Sequence, residues 1–376
     1  MEPATWERKM PDMMKKRVLI VDDAVVVRRA LSDAVSRDSL LEVVGTASNG
    51  RIALAKFATL KPDIILLDIE MPEMDGLETV RELRKIDLRV PILMFSTLTE
   101  RRASATLEAL ALGATDYLAK PSNTDMAATS ETVIHELLPR IRALCHLPVN
   151  LTLDASTHGV PLAPPLALRP KHKPSLMVPV QIVTIGVSTG DPDALARLLP
   201  SLPANLPVPV VIAQHMPPIF TSLLAARLSA SCSLPVRECK SGETLTAGCV
   251  FIAPGDFHMV TCSENGVVRL KTHQGPKENF CRPSVDVLFR SVADVYGARA
   301  LAVILTGMGQ DGLKGCAILS SMGARILVQD EASSVVWGMP GFVARSGLAD
   351  KILPLDQIGA EIVRATTMQI ATRAQS

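Results

Sequence analysis

The chain has 376 residues, of which 48% are hydrophobic and 3% aromatic, and its formal net charge at pH 7 is +1. This length suits two domains, and the apolar fraction is sufficient for two cores, which excludes a largely disordered chain. The near-neutral charge gives no indication of a nucleic-acid partner or of an anionic membrane surface.

The first part of the chain alternates short apolar runs with helical patterns. The strand-like runs read RVLIVDD, LEVVGTAS, DIILLDI, PILMFST and ATDYLAKP. Strands that are apolar throughout and separated by helices indicate a parallel sheet covered on both faces. The sequence therefore predicts a flavodoxin-like, five-stranded α/β domain over residues 17–138.

A Pro-rich linker is predicted over residues 146–179, where helical and strand periodicity disappears. A second doubly wound α/β domain with a parallel sheet follows over residues 180–370. Within it, the turn-rich stretch 234–272 is predicted to be a small antiparallel insertion. The seven cysteines include no C-x-x-C pair and no His-Cys cluster at zinc spacing, so neither a disulfide nor a metal framework is expected.

Polar residues end the predicted strands of the first domain. Functional groups gather beyond the carboxyl ends of parallel strands, and the residues found there are Asp22, Asp23, Asp68, Ser96 and Lys120. Three carboxylates in one pocket repel one another unless a cation intervenes, and oxygen ligands favour Mg²⁺. The alternative interpretation is that these acids are helix N-caps or solvated loop residues.

This arrangement, together with MPEMDG after Asp68, resembles the receiver domain of two-component response regulators over residues 17–138. The resemblance implies that Asp68 is phosphorylated by a sensor histidine kinase and that it binds Mg²⁺ together with Asp22 and Asp23. It also implies that Lys120 pairs with the phosphoryl group. Ser96 and Tyr117 would be the switch hydroxyl and the switch aromatic residue.

The stretch GVSTG at 186–190 fits three interpretations: a serine nucleophile, an anion-binding turn or a tight turn. Ser188 ends a predicted strand, His215 ends the next, and Asp311 follows a later one, so a hydroxyl, an imidazole and a carboxylate meet at one edge of the sheet. Asp330 and Asp191 compete with Asp311 on spacing alone. The order Ser–His–Asp differs from the order in α/β-hydrolases.

The motifs GVSTGD, AQHMP, ENFCRPSVDVLF, TGMGQDG and QDEASSVVWGMPG together resemble the chemotaxis-type protein-glutamate methylesterases, the CheB family. The resemblance implies Ser188 as nucleophile, His215 as general base and Asp311 as its orienting partner. Met308 would offer a backbone N–H to the oxyanion and Thr189 would support the site. Asp191 stands where the family usually has glycine.

On this resemblance the protein is expected to be a phosphorylation-activated serine esterase in the cytoplasm. Its substrates would be glutamyl methyl esters on methyl-accepting chemoreceptors, with deamidation of receptor glutamines as a second reaction. The ester chemistry would need no cofactor, and neither nucleic acid nor membrane insertion is expected. Two rival interpretations of the second domain are a non-catalytic binding module and a phosphate- or nucleotide-binding output domain.

Overall fold

The structure is a computed structural model that describes residues 14–97, 99–120, 126–148 and 178–367. The described parts of 1–98 and 112–149 form one compact unit, and those of 99–111 and 150–376 form another. Most of the predicted linker, residues 149–177, lies outside the described residues. Among the residues described, no helix is both long and apolar enough to cross a membrane.

The first sheet is built from strands and helices that alternate along the chain. Its strands are β1 Lys16–Val21, β2 Leu41–Ala47, β3 Ile64–Leu67, β4 Ile92–Thr97 and β5 Asp116–Lys120. The helices are α1 Val25–Ser36, α2 Gly50–Leu60, α3 Gly76–Ile86, α4 Glu100–Ala111 and α5 Met126–Leu144. The strands are all parallel in the order β2-β1-β3-β4-β5, which confirms the predicted flavodoxin-like sheet.

Helix starts in this unit follow directly from the sequence. The side chain of Asn49 accepts a hydrogen bond from the Ile52 N–H at the start of α2, and Asp75 accepts one from the Glu78 N–H at the start of α3. Such caps satisfy N–H groups that have no partner within the helix. They end the loops that follow β2 and β3, so Asp68, which directly follows β3, lies before helix α3.

The second unit contains a larger parallel sheet and one antiparallel pair of strands. Besides α4, its first elements are β6 Ile182–Val187, α6 Asp191–Leu198, β7 Val210–Gln214, α7 Phe220–Ser231, β8 Val236–Glu238 and β9 Val250–Ile252. The pair β10 His258–Glu264 and β11 Val267–His273 comes next. The last elements are α8 Val285–Tyr296, β12 Ala300–Ile304, α9 Leu313–Ser321, β13 Arg325–Gln329, α10 Met339–Arg345, β14 Lys351–Leu353 and α11 Leu355–Thr367.

The larger sheet has the order β14-β13-β12-β6-β7-β9-β8, and all of its pairs are parallel. The doubly wound fold is thus confirmed, but the antiparallel part is smaller than expected. Strands β8 and β9 belong to the main sheet, and only β10 and β11 pair antiparallel. Three-residue strands are too short to show a periodic pattern, which is why the sequence did not separate them from the insertion.

The centre of this sheet positions the candidate site. The strands that follow β6 in the chain first extend the sheet on one side of it, through β7, and later strands extend it on the other side, through β12. This reversal is the topological switch point, where ligands bind in open α/β sheets. Gly186 lets α8 pack directly against β6, because a Cβ at that position would lie 2.3 Å from Val285 Cγ1.

Candidate functional sites

Three carboxylates and one ammonium group meet beside the first sheet. One carboxylate oxygen from each of Asp22, Asp23 and Asp68 lies within 4.8 Å of the other two. Lys120 Nζ is 2.7 Å from Asp22 Oδ2 and 2.9 Å from Asp68 Oδ1. The lysine therefore neutralises part of the charge that would otherwise make this cluster repulsive.

Strand register brings these groups together. Val21 pairs with Leu67 at the ends of β1 and β3, so the aspartates that follow both strands are neighbours. The Asp68 N–H donates to the Val21 carbonyl at 2.8 Å, and Thr97 pairs with Lys120 at the end of β5. Burial raises the pKa of Asp68, whereas the ammonium group of Lys120 opposes the rise.

The two predicted switch residues lie on adjacent strands. Ser96 is buried near the end of β4 and pairs with Ala119, while Tyr117 on β5 is half-buried and pairs with Met94. Lys120 Nζ lies 5.6 Å from the centre of the Phe95 ring. The structure thus places Ser96 at the same sheet edge as the carboxylates, and Tyr117 three residues before Lys120.

The second cluster lies at the carboxyl ends of β6, β7 and β12. Ser188 directly follows β6, and its N–H donates to the Thr306 carbonyl at 3.0 Å. His215 directly follows β7, and its N–H donates to the Val187 carbonyl at 3.3 Å. Ser188 and His215 are therefore neighbours across adjacent strand ends. Among the described residues the Ser188 hydroxyl has no hydrogen-bond partner. Hydrogen bonds between catalytic groups are often long or poorly aligned until the substrate binds.

His215 bonds to the third predicted member of the cluster. Its Nε2 lies 2.8 Å from Asp311 Oδ2. Of the two competing carboxylates, Asp330 accepts hydrogen bonds from the backbone and hydroxyl of Ser333 instead. Asp191 begins α6 after Gly190, which has a φ of 80°, and its side chain lies outside the described set.

Asp311 is held by six donors. Its Oδ1 accepts hydrogen bonds from Asn279 Nδ2, Ser284 Oγ and the N–H groups of Asp286 and Gly312, at 2.7 to 3.1 Å. Its Oδ2 accepts from the Val285 N–H at 2.7 Å and from His215. Two of these donors are N–H groups at the start of α8, where the helix dipole favours an anion.

The pKa values of this pair move in opposite directions. Burial would raise the pKa of Asp311, but the hydrogen bond and charge of His215, together with the backbone N–H groups of α8, lower it to about 2. Burial would lower the pKa of His215, but the Cys281 sulfur and the Asp311 carboxylate raise it well above its ordinary value. An ionised carboxylate only accepts hydrogen bonds, so Nε2 of His215 carries the proton of this bond.

The loop after β12 passes close to Ser188. A Cβ on Gly307 would lie 2.8 Å from Ser188 Cβ, so only glycine permits this approach. Within the described residues the Met308 N–H has no hydrogen-bond acceptor. Thr189 is buried, and its carbonyl accepts a hydrogen bond from Thr306 Oγ1 at 2.9 Å. A free N–H beside a serine is what an oxyanion site requires.

Four residues of the second cluster were not identified from the sequence. They all belong to the segment ENFCRPSVDVLF and are Asn279, Cys281, Ser284 and Asp286. Asn279 Nδ2 bridges the carboxylates of Asp286 and Asp311 at 3.0 and 2.7 Å. Burial raises the pKa of Asp286, whereas the Gly315 N–H and the Asn279 amide oppose the rise. The segment carries part of the family resemblance, but the spacing of its residues does not indicate that it wraps around Asp311.

Comparison with known proteins agrees with this geometry. The CheB methylesterase family model matches residues 183–362, and the response regulator receiver model matches residues 18–129. A protein-glutamate methylesterase/protein-glutamine glutaminase of Trichodesmium erythraeum is 50% identical over 94% of this chain and 99% of its own. The chain belongs to this family. It is an ester hydrolase that carries a response regulator receiver domain, as its motifs predicted.

Further relatives carry the same name. One from Nocardioides is 48% identical over 94% of this chain and 96% of its own length. Among solved structures, the catalytic domain of Thermotoga maritima CheB methylesterase is 42% identical, covers 50% of this chain and 99% of its own, and superimposes with a TM-score of 0.49.

Proposed function

We propose that this protein hydrolyses glutamyl methyl esters on methyl-accepting chemoreceptors to glutamate and methanol. We further propose that it deamidates receptor glutamines, which is the same acyl chemistry with ammonia as the leaving group. The catalytic residues are Ser188, His215 and Asp311. The catalytic domain spans residues 180–370 and the receiver spans 17–138, joined by the linker 146–179, and the protein acts in the cytoplasm.

The observation that carries this proposal is the 2.8 Å hydrogen bond between His215 Nε2 and Asp311 Oδ2. Because Nε2 is committed to the carboxylate, Nδ1 is the nitrogen that takes the proton from Ser188. The serine oxygen then attacks the side-chain carbonyl, and the Met308 N–H donates to the oxyanion, with Thr189 supporting this loop. His215 returns the proton to the departing methanol, and water hydrolyses the acyl-enzyme with the same base.

The charge arrangement suits this cycle. Asp311 stays ionised because its pKa is lowered to about 2, so it stabilises the imidazolium that forms when Ser188 is deprotonated. These groups argue against a non-catalytic binding module, because binding alone does not require a histidine paired with a buried aspartate beside a serine. They also argue against a phosphate-binding domain, because Asp311 places negative charge at the sheet edge.

The receiver would control this activity through Asp68. The carboxylates of Asp22, Asp23 and Asp68 offer three oxygen ligands within 4.8 Å, which fits a hard cation such as Mg²⁺. When bound, Mg²⁺ supplies positive charge opposite the incoming phosphoryl oxygens. Asp68 accepts the phosphoryl group from a chemotaxis-type sensor histidine kinase, Lys120 pairs with it, and Ser96 and Tyr117 respond to it.

The test is methanol release from a methylated receptor fragment by the full-length protein, with and without acetyl phosphate and Mg²⁺. We expect Ser188→Ala to lower the rate by at least about 10⁴-fold. Ser321→Ala is the matched control, because Ser321 is exposed and bonds only to the Ile318 carbonyl among the described residues. Substantial methanol release by Ser188→Ala would refute the assignment of the nucleophile.

A further inference from the structure

A thiol lies on the side of His215 that faces away from Asp311. Cys281 Sγ is 3.5 Å from His215 Nδ1. Cys281 is half-buried, and it has no role in the ester chemistry proposed above. The two residues are 66 positions apart in the chain, so their pairing is a product of the fold.

The position of the thiol is determined by a tight two-residue turn. The N–H groups and carbonyls of Glu278 and Cys281 exchange hydrogen bonds at 2.9 and 3.1 Å. The two residues between them, Asn279 and Phe280, have φ values of 52° and 63°, which describes a type I′ turn. Left-handed backbone at Phe280 persists only where the surroundings hold it in place.

Two anchors supply that restraint. The Asn279 amide bonds to the buried carboxylates of Asp286 and Asp311. The Glu278 carboxylate forms two hydrogen bonds to the guanidinium of Arg290 on α8, at 2.6 and 2.7 Å. The thiol is therefore held beside the imidazole, as a preorganised ligand set requires.

The separation of the two atoms matches that of two ligands on one zinc ion. Zn–S and Zn–N bonds of about 2.3 and 2.0–2.1 Å at a tetrahedral angle place sulfur and nitrogen about 3.5 Å apart. The other ring nitrogen of His215 is bonded to Asp311, and a carboxylate behind a metal-binding histidine fixes the ring and its tautomer. One ligand atom from each of these three residues lies within 4.8 Å of the others.

We propose that His215 Nδ1 and Cys281 Sγ form a binding site for a thiophilic divalent cation, Zn²⁺ being the ion that fits, and that its binding inhibits the enzyme. As the S–Zn bond forms, the thiol releases its proton to solvent. Nδ1 donates its lone pair to the metal, and Nε2–H remains bonded to Asp311. Water completes the coordination.

Inhibition rests on the proposed function of His215. The lone pair that binds Zn²⁺ is the one that would accept the Ser188 proton, so the two events exclude each other. This site differs chemically from the aspartate cluster of the receiver, because a thiolate and an imidazole select Zn²⁺ whereas carboxylates alone suit Mg²⁺.

Binding is tested with Co²⁺, which substitutes for Zn²⁺ and shows a thiolate-to-metal charge-transfer band in the near ultraviolet. The full-length protein is titrated in excess Mg²⁺, so that the receiver carboxylates contribute no signal. We expect the band in the native protein, its displacement by Zn²⁺, and its loss in both Cys281→Ser and Cys281→Ala. Cys262→Ser is the matched control, because Cys262 is equally half-buried but lies on β10, and it should keep the band.

Inhibition is tested by methanol release at increasing Zn²⁺, with each variant compared with its own rate without Zn²⁺. The concentration that halves the rate should rise at least about tenfold in Cys281→Ser, because even the loss of a residue that only supports a metal ligand costs about 10–100-fold in affinity. It should not change in Cys262→Ser. A band that is absent, or that survives in Cys281→Ser, overturns the site. A band that behaves as expected in a protein that hydrolyses no ester upholds the site and refutes the proposed function. A normal band without inhibition overturns the inhibitory role.

Discussion

His215 Nε2 and Asp311 Oδ2 lie 2.8 Å apart, and this bond decides which imidazole nitrogen is available for chemistry. Asp311 is buried and accepts five further hydrogen bonds from the backbone and side chains around α8 and the 278–284 segment. The carboxylate cannot rotate without breaking them. The imidazole is therefore oriented by a group that is itself rigidly held, and Nδ1 points away from Asp311.

Replacing Asp311 with Asn should remove that orientation. An amide has no negative charge to stabilise the imidazolium, and its N–H group can turn toward His215 and favour the wrong tautomer, so we expect kcat to fall by about 10⁴-fold. Steady-state methanol release measures the effect. Asp330→Asn is the control, because that carboxylate bonds to Ser333 rather than to His215. Equal losses in the two variants would contradict the role given to Asp311.

The pH dependence of kcat/KM should show an acid limb set by His215. The base must be neutral at Nδ1. Burial would lower the pKa of His215, but the Cys281 sulfur and the Asp311 carboxylate raise it well above about 6.5. Activity is therefore expected to be low when His215 is protonated and to rise as the pH passes its raised pKa. Asp311 contributes no change in this range, because its pKa is about 2.

The same titration can be followed by ¹⁵N NMR of the His215 ring in the Ser188→Ala protein, without turnover. Introducing Asp311→Asn in that background should shift the ring titration to lower pH, because a carboxylate that favours the imidazolium has been removed. A His215 titration at or below the ordinary histidine range in the protein with intact Asp311 would contradict this account.

Much of the fold could be predicted because it depends on local patterns. The strands around Ile65 and Ile185 are apolar throughout, which is the mark of parallel strands buried on both faces. Once the strands are located, the residues at their carboxyl ends follow, and Asp68, His215 and Ser188 were found in this way. The rule needs no long-range information beyond the parallel order of the strands.

The surroundings of Asp311 could not be predicted because they depend on contacts between distant segments. Asn279 and Cys281 reach the site through a two-residue turn whose central residues are Asn and Phe, rather than the Asn-Gly that signals such a turn. Strands β8 and β9 have only three residues each, and their place in the main sheet is set by the pairing of β9 with β7 and of β8 with β9. Neither feature leaves a periodic signal in the sequence.

Asn279 should act as a positioning residue for Asp311. Asn279→Gly keeps the left-handed backbone at φ 52° and removes only the amide that bridges Asp286 and Asp311. We expect kcat to fall about tenfold with KM unchanged, and the free energy of unfolding to fall by about 1–3 kcal/mol, because two buried carboxylates lose a donor.

Asn265→Gly is the matched control for this change. Asn265 has a φ of 51° in the turn between β10 and β11, which contributes none of the groups bonded to Asp311. The Asn265→Gly substitution should therefore leave kcat unchanged. A purely structural role for Asn279 would lower stability without changing kcat, and that outcome would contradict the prediction.

Asp68 should be required for activation and not for basal hydrolysis. In Asp68→Asn the phosphoryl acceptor is missing, so acetyl phosphate with Mg²⁺ should no longer raise the rate of methanol release. The control is Asp33→Asn, an exposed residue on α1, which should respond as the native protein does. Activation that survives in Asp68→Asn would show that another residue is phosphorylated.

Arg142 should stabilise the receiver through its bond to a buried carboxylate. Arg142 Nε is 2.5 Å from Asp38 Oδ2, and the Asp38 side chain is only 1% exposed. Arg142→Ala leaves this carboxylate without its cation, which should cost about 2–3 kcal/mol of unfolding free energy. Lys85→Ala is the control, because its partner Glu82 is more exposed and such surface pairs contribute about 0–1 kcal/mol.

The contribution of Arg142 to the free energy of unfolding should also depend on pH. Burial would raise the pKa of Asp38, but the hydrogen bonds from Arg142 and from the Leu40 N–H lower it below 3.8. The stabilisation is thus complete above the unfolded pKa and is lost as the pH falls through the lower folded pKa. Hydrogen exchange of the β1 core amides, corrected for intrinsic rates, measures it in the full chain. If the difference between the native protein and Arg142→Ala were the same in acid as at neutral pH, the ion pair would not be its source.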